Sequence, residues 1–229
     1  MIPFSSFDII ALLWYLLFWA AFTYLVDYSP LKKHNISVLM AAHRYRWMRS
    51  LPKREFRMID TAIITGLQNG TAFFASTALL AIGAGFAMLN ATDIAMKVAN
   101  DLSLPIETSP ELWEIKAIIL ICIYVYAFFK FGWAYRLFNY TSILIGAFPY
   151  PDDATEEELD RAIKQAAEMN TLAGHHFTLG LRAFFFSAPM FGWFIHPLLF
   201  MIASTIVTAV LIRRHFFSRP QLISQLFVK

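Results

Sequence analysis

Residues 9–26 form an apolar run without one charged side chain, bounded by Asp8 and Asp27. A helix of about 20 such residues covers the hydrocarbon core of a bilayer, where a backbone must satisfy its own hydrogen bonds. Further apolar stretches follow at 60–89, 112–148 and 178–212. The chain is therefore predicted to be an all-α, polytopic helical membrane protein. Residues 1–229 read as a single integral membrane domain. Composition agrees: 58% of residues are hydrophobic and 15% charged, against about 25% charged in soluble domains. Asp8 is expected at the membrane edge, within reach of headgroups. Trp14, Tyr15, Trp19 and Tyr24 are scattered along the first run. Aromatic rings favour membrane interfaces, so the central ones are expected to face other helices.

Residues 1–7 contain no Lys or Arg, and the run that follows is too long for the apolar core of a cleaved signal. A retained helix is expected. Cys122 is the only cysteine and sits in an apolar run, which excludes an internal disulfide and a cysteine zinc site.

Charge then orients the chain. Residues 28–58 hold Lys32, Lys33, Arg44, Arg46, Arg49, Lys53, Arg54 and Arg57, with Glu55 as the only acid. Short loops rich in Lys and Arg stay in the cytoplasm. This places the N-terminus outside, in a bacterial inner membrane. Residues 36–49 read as an amphipathic helix, with Leu39, Met40, Tyr45 and Trp47 among the bases. Such a helix lies at headgroup level against anionic lipid, so the expected partners are anionic headgroups of the cytoplasmic leaflet. The positive-inside rule and the membrane-facing aromatics account for this segment without nucleic acid.

The second span, from about Asp60 to Leu89, is semi-polar in its first half, with Thr61, Thr65, Gln68, Asn69 and Thr71. It also carries Gly66 and Gly70 in a GxxxG pattern. Small residues four apart let helix backbones approach, and amides hydrogen-bond across the contact. Thr65, Gly66, Gln68, Asn69 and Gly70 are therefore candidates for helix packing or for lining a path, and a homo-oligomer is expected.

Residues 90–113 carry Asp93, Asp101, Glu107 and Glu111 against Lys97, which suits an outer loop. Residues 91–102 read as a short surface helix, with Pro105 and Pro110 ending regular structure. Residues 112–148 would make a helix of about 55 Å, too long for one perpendicular span. Residues 115–131 read as its membrane part. Residues 132–145 read as a cytoplasmic extension that packs through Phe138, Ile143 and Leu144. Residues 149–170 are acidic, with Thr155 as a helix N-cap before Glu156, Glu157 and Glu158. They read as a solvated helix or as one docked on the basic segment. Residues 178–212 contain Pro189, Gly192 and Pro197. A hairpin of 178–194 and 198–212 gives five spans and keeps Arg213, Arg214, Arg219 and Lys229 inside; one kinked helix gives four.

Several motifs taken in order resemble one family. They are Ala42-His43-Arg44, Ser50, Arg57 through Asp60, Phe73-Phe74-Ala75-Ser76-Thr77, Phe129-Lys130-Phe131, Arg136 through Tyr140 with Ser142 through Ala147, and Gly180 through Phe186. The family is domain of unknown function 599, found in bacteria and plants. The resemblance covers nearly the whole chain and implies a polytopic membrane protein. It supplies no activity, cofactor or catalytic residue.

No nucleophile elbow, P-loop, HExxH or dinucleotide fingerprint is present. His175 and His176 are adjacent and diverge by about 100° on a helix. His34, His43, His196 and His215 are dispersed. No catalytic, cofactor-binding or metal residue is assigned, and no cofactor is expected. The charges inside apolar stretches are better candidates, because a charge at membrane depth usually faces the protein interior and a partner. Asp60, Arg136 and Arg182 are placed at one level near the cytoplasmic end. They form a candidate buried ion pair, Asp60 with Arg136 or Arg182, or an anion site of the two arginines. The sequence reads as a non-enzymatic, oligomeric channel, transport or scaffold protein. The alternatives are a membrane-embedded enzyme on a lipid or apolar substrate, and an accessory subunit of a larger membrane complex.

Overall fold

The computed structural model describes residues 4–101, 109–150 and 152–225. The described residues form α-helices with short 3-10 turns and no strand: α1 (Ser6–Asp27), α2 (Ile36–Ser50), α3 (Met58–Asn90), α4 (Thr92–Asp101), α5 (Pro110–Gly146), α6 (Glu156–Ile195), α7 (Pro197–Phe216) and α8 (Arg219–Gln225). Of these, α1, α3, α5, α6 and α7 are long and apolar enough to cross a membrane. The five-span reading is the one that forms. At His196 the backbone turns extended (φ −158°, ψ 138°). Its ring Nδ1 accepts a hydrogen bond from the Leu198 N–H at 3.1 Å. Pro197 then opens α7, where its missing N–H costs nothing. Pro189 lies inside α6 without ending it.

Helices α5 and α6 form the centre. α3 packs on α5, α7 on α6, and α1 on α7. α3 buries Ile64, Thr71, Ala78 and Gly85, a seven-residue repeat that keeps one seam against α5. A Cβ at Gly85 would overlap the Ile121 side chain. On α6, a Cβ at Gly180 would lie 2.6 Å from the Phe131 ring, so glycine there sets the α5–α6 spacing.

Two main apolar clusters result, with a small third one of Leu137, Phe138 and Ala173 between α5 and α6. The larger fills the membrane part with Tyr15, Phe22, Phe131, Phe186, Trp193 and Phe200. Trp19 stacks on Phe186 at 4.9 Å, and Trp193 on Phe200 at 4.8 Å. The central rings of the first run thus face other helices. The second cluster joins α2, α3, α5 and α6 through Met48, Leu51, Ile64, Ile145, Ile163 and Ala166.

The second cluster exists because the central helices are too long for a bilayer. α5 has 37 residues and α6 has 40, about 55 and 60 Å against a hydrocarbon core of about 30 Å. Their far ends are level with the start of α1, since Asp8, Lys116 and Trp193 meet there. The excess therefore projects at the opposite end, which carries the basic segment. The acidic residues 156–160 are the outer turns of α6 itself rather than a separate helix. Thr155 and Glu158 close a reciprocal capping box. α2 docks on this projection. Tyr45 donates to Asp160 at 3.3 Å, but the apolar cluster carries most of the contact. Phe138 is buried and Leu144 packs on the second cluster, whereas Ile143 is 61% exposed, against expectation. Pro110 begins α5 instead of ending structure, again as a first-turn proline. Leu102, Pro105, Glu107 and Lys229 lie outside the described residues.

Candidate functional site

Among the described residues, the buried charged side chains lie in three places. At the far end, the capping Ser5 hydroxyl donates to Asp8 Oδ2 at 2.7 Å. The Trp193 indole N–H donates to Asp8 Oδ1 at 2.8 Å. Lys116 Nζ stands 3.6 Å from the same carboxylate and donates to the Trp193 carbonyl at 2.8 Å. The reason lies in the sequence: the carbonyl of residue 193 would normally accept from residue 197, which is proline and has no N–H. Lys116 supplies that donor, and places a positive charge at the C-terminus of α6. Asp8 is buried and does not reach out to headgroups, because Trp193 and Lys116 hold it inward.

At the basic end, Arg182 of α6 makes a bidentate pair with Asp27, the last residue of α1, at 2.7 and 3.2 Å. Its Nη1 also donates to Thr23 at 3.3 Å. The guanidinium lies over the Phe22 ring, 5.1 Å from its centroid. Its Nε has no hydrogen-bond partner among the described residues.

In the projection, Asp60 is fully buried at the start of α3. It pairs with Arg54 and accepts from the Trp47 indole at 2.6 Å. Arg57 closes the same region, donating from Nη1 to the Ile145 carbonyl at 3.2 Å near the end of α5.

Asp60, Arg136 and Arg182 are therefore not one site. The expected pairing of Asp60 with Arg136 or Arg182 does not form, and neither does an anion site of the two arginines. Arg54, held beside the start of α3 by the turn at 51–53, reaches Asp60 first. Asp27 ends α1 beside Arg182. Arg136 is exposed, and its Nε donates to Tyr140 within the same helix at 2.6 Å. Asp27, Arg54, Trp47, Asp8 and Lys116 are the partners that the sequence reading missed. Asp27 was visible as the charged stop of the first run. Lys116 was visible as a lysine in the opening turns of an apolar helix.

The second candidate set behaves differently. Within this chain, a Cβ at Gly66 or Gly70 meets nothing within 4 Å. The expected close contact there is not made inside the chain. Thr65, Gly66, Asn69 and Gly70 are exposed and Gln68 is half-buried. Gly66 lies away from the seam of α3 with α5, and Gly70, one residue before the buried Thr71, lies on its flank.

Five apolar helices joined at alternating ends define a multi-pass helical membrane protein. The chain belongs to the family described as protein of unknown function, DUF599, whose model matches residues 10–220. Neither the curated proteins nor the solved structures contain a match to the chain.

Proposed function

We propose that this chain is a non-catalytic scaffold of the bacterial inner membrane that works as a homo-oligomer, with α3 as the contact between copies. The observation that carries it is the first half of α3, where Gly66 and Gly70 meet nothing of this chain within 4 Å and lie beside the exposed Asn69 amide. Small residues allow close backbone approach, and an amide at membrane depth gains from a partner across the contact. A second copy of α3 offers both. The carboxylates support a non-catalytic reading, since Asp8 and Asp60 are each held by a cation and an indole N–H, and Asp27 by both terminal nitrogens of Arg182.

Gly66→Leu and Gly70→Leu should each reduce the detergent-solubilised oligomer to smaller species in light scattering. Neither should lower the melting temperature of the chain itself, because no neighbour within the chain is displaced. An unchanged particle mass in both variants would exclude α3 as the contact. Thr65, Gln68 and Asn69 favour a second reading, in which facing α3 helices line a path for solute. Such a path would run between copies, since Tyr15, Trp19 and Phe186 fill the centre of the membrane core. Solute flux into reconstituted vesicles that is lost with Gly70→Leu would select it.

The basic end is proposed to face the cytoplasm, on the strength of Lys32 through Arg57. Ser37→Cys in a Cys122→Ala background should stay unlabelled by an impermeant maleimide in intact cells and react after permeabilisation. Labelling in intact cells would invert the topology.

A further inference from the structure

Two cavities meet at Ile36 and Thr178, which line both. The larger, about 750 Å³, lies between α2 and α6 and is lined by Lys32, Arg44, Tyr45, Glu168 and His175. The smaller, about 230 Å³, continues toward the membrane core along Phe22, Leu181, Phe185 and Leu211, with Arg214 on its wall. Together they make one cleft, polar at the projection and apolar toward hydrocarbon.

Arg44 is the unusual group in this cleft. Its guanidinium lies against Gly174, where a Cβ would sit 2.5 Å from Nη2. A side chain at 174 would push the guanidinium out of this position. No carboxylate among the described residues is within ion-pair distance of Arg44. Burial pushes its pKa down, which is the mark of a charge held where water solvates it poorly. Arg182 is neutralised by Asp27. Among the described residues that line the cleft, that leaves Lys32, Arg44 and Arg214 against one carboxylate, Glu168.

We propose that this cleft binds an anionic glycerophospholipid from the leaflet at the basic end, its phosphate on Arg44 and Lys32 and an acyl chain along Phe22, Leu181 and Phe185. Arginine suits the phosphate because its planar fork donates two parallel hydrogen bonds. The excess of cations selects an anionic headgroup over a zwitterionic one. The apolar continuation selects a lipid over a free anion. A bound lipid would also bridge α2, α6 and α7, fixing the angle of the amphipathic helix on the bundle.

The test uses the purified full chain in maltoside micelles. Melting is followed against added phosphatidylglycerol, phosphatidylcholine and inorganic phosphate. Phosphatidylglycerol should raise the melting temperature more than phosphatidylcholine, and inorganic phosphate should not. Arg44→Gln should weaken the apparent affinity for phosphatidylglycerol by about fivefold, the worth of one basic residue at a membrane surface. Arg136→Gln, which alters an exposed arginine outside the cleft, should leave it unchanged. Equal responses to the two lipids, or an unaltered response in Arg44→Gln, would overturn the proposal. Stabilisation by inorganic phosphate as strong as by the lipid would assign the site to a soluble anion instead. If Arg44→Gln does not fold, photoactivatable phosphatidylglycerol on the wild-type chain decides. Crosslinks should map to 36–45 and 168–185, and crosslinks confined elsewhere would refute the site. The Gly66→Leu chain should keep the lipid response whatever its particle size, which separates this result from the oligomer.

Discussion

Replacing Lys116 by methionine should lower stability by about 3–5 kcal/mol, the usual cost of removing one member of a buried pair. Two groups lose their partner at once. Asp8 is left with only Ser5 and Trp193 to hold it. The Trp193 carbonyl loses the donor that stands in for the N–H that Pro197 lacks. For a chain of this length the melting temperature should fall by on the order of 10 °C. Asp8→Asn combined with Lys116→Met should recover part of the loss, because no unpaired charge then remains. A single-variant loss under about 1 kcal/mol would show that the far-end layer is hydrated and the pair weak.

The pair at the other end should respond asymmetrically. The Arg182 side chain is 4% exposed and that of Asp27 is 18% exposed. Asp27→Asn strands a guanidinium that cannot be deprotonated and can hardly be hydrated, so a loss of about 3–5 kcal/mol is expected. Arg182→Met leaves a carboxylate that can turn toward solvent, and should cost about 1–3 kcal/mol. Chemical denaturation of both variants in the same micelle gives the order. The reverse order would mean that Asp27, and not Arg182, is the more deeply desolvated partner.

The helices were legible in the sequence because a bilayer imposes length and apolarity on any span, and both are written directly in residues. The uncharged run 9–26, the capping Thr155 and the His196–Pro197 break could all be located from local chemistry. The partners of the buried charges could not. Apolar runs place Asp60, Arg136 and Arg182 at one level along the membrane normal, but α3 begins in the projection, so Asp60 stands beyond the layer where Arg182 meets Asp27. Arg136 falls on an outward face, while Arg54 reaches Asp60 through a turn whose path depends on the packing of Leu51 and Pro52. Gly66 and Gly70 show a related limit: the motif marks a surface fit for close approach, and which helix approaches is decided outside this chain. The continuity of α6 was hidden by its change of character, acidic at Glu156 and aromatic by Phe184. Helical geometry tolerates that change, although the composition suggests two segments.

Helix α1 carries the carboxylate of each outer layer, Asp8 at its start and Asp27 at its end. They are separated by about 28 Å of helical rise, close to the thickness of a hydrocarbon core. The chain therefore behaves as a gauge block for the bilayer. A thicker membrane would draw one of the two pairs into the acyl region, and a thinner one would expose the aromatic core between them. α1 cannot tilt by itself, because it is fastened at both ends to α6, through Trp193 and Arg182. Mismatch must then be taken up by tilt of the whole bundle or by the lipid, so the protein should concentrate where bilayer thickness already matches the distance between its two locks.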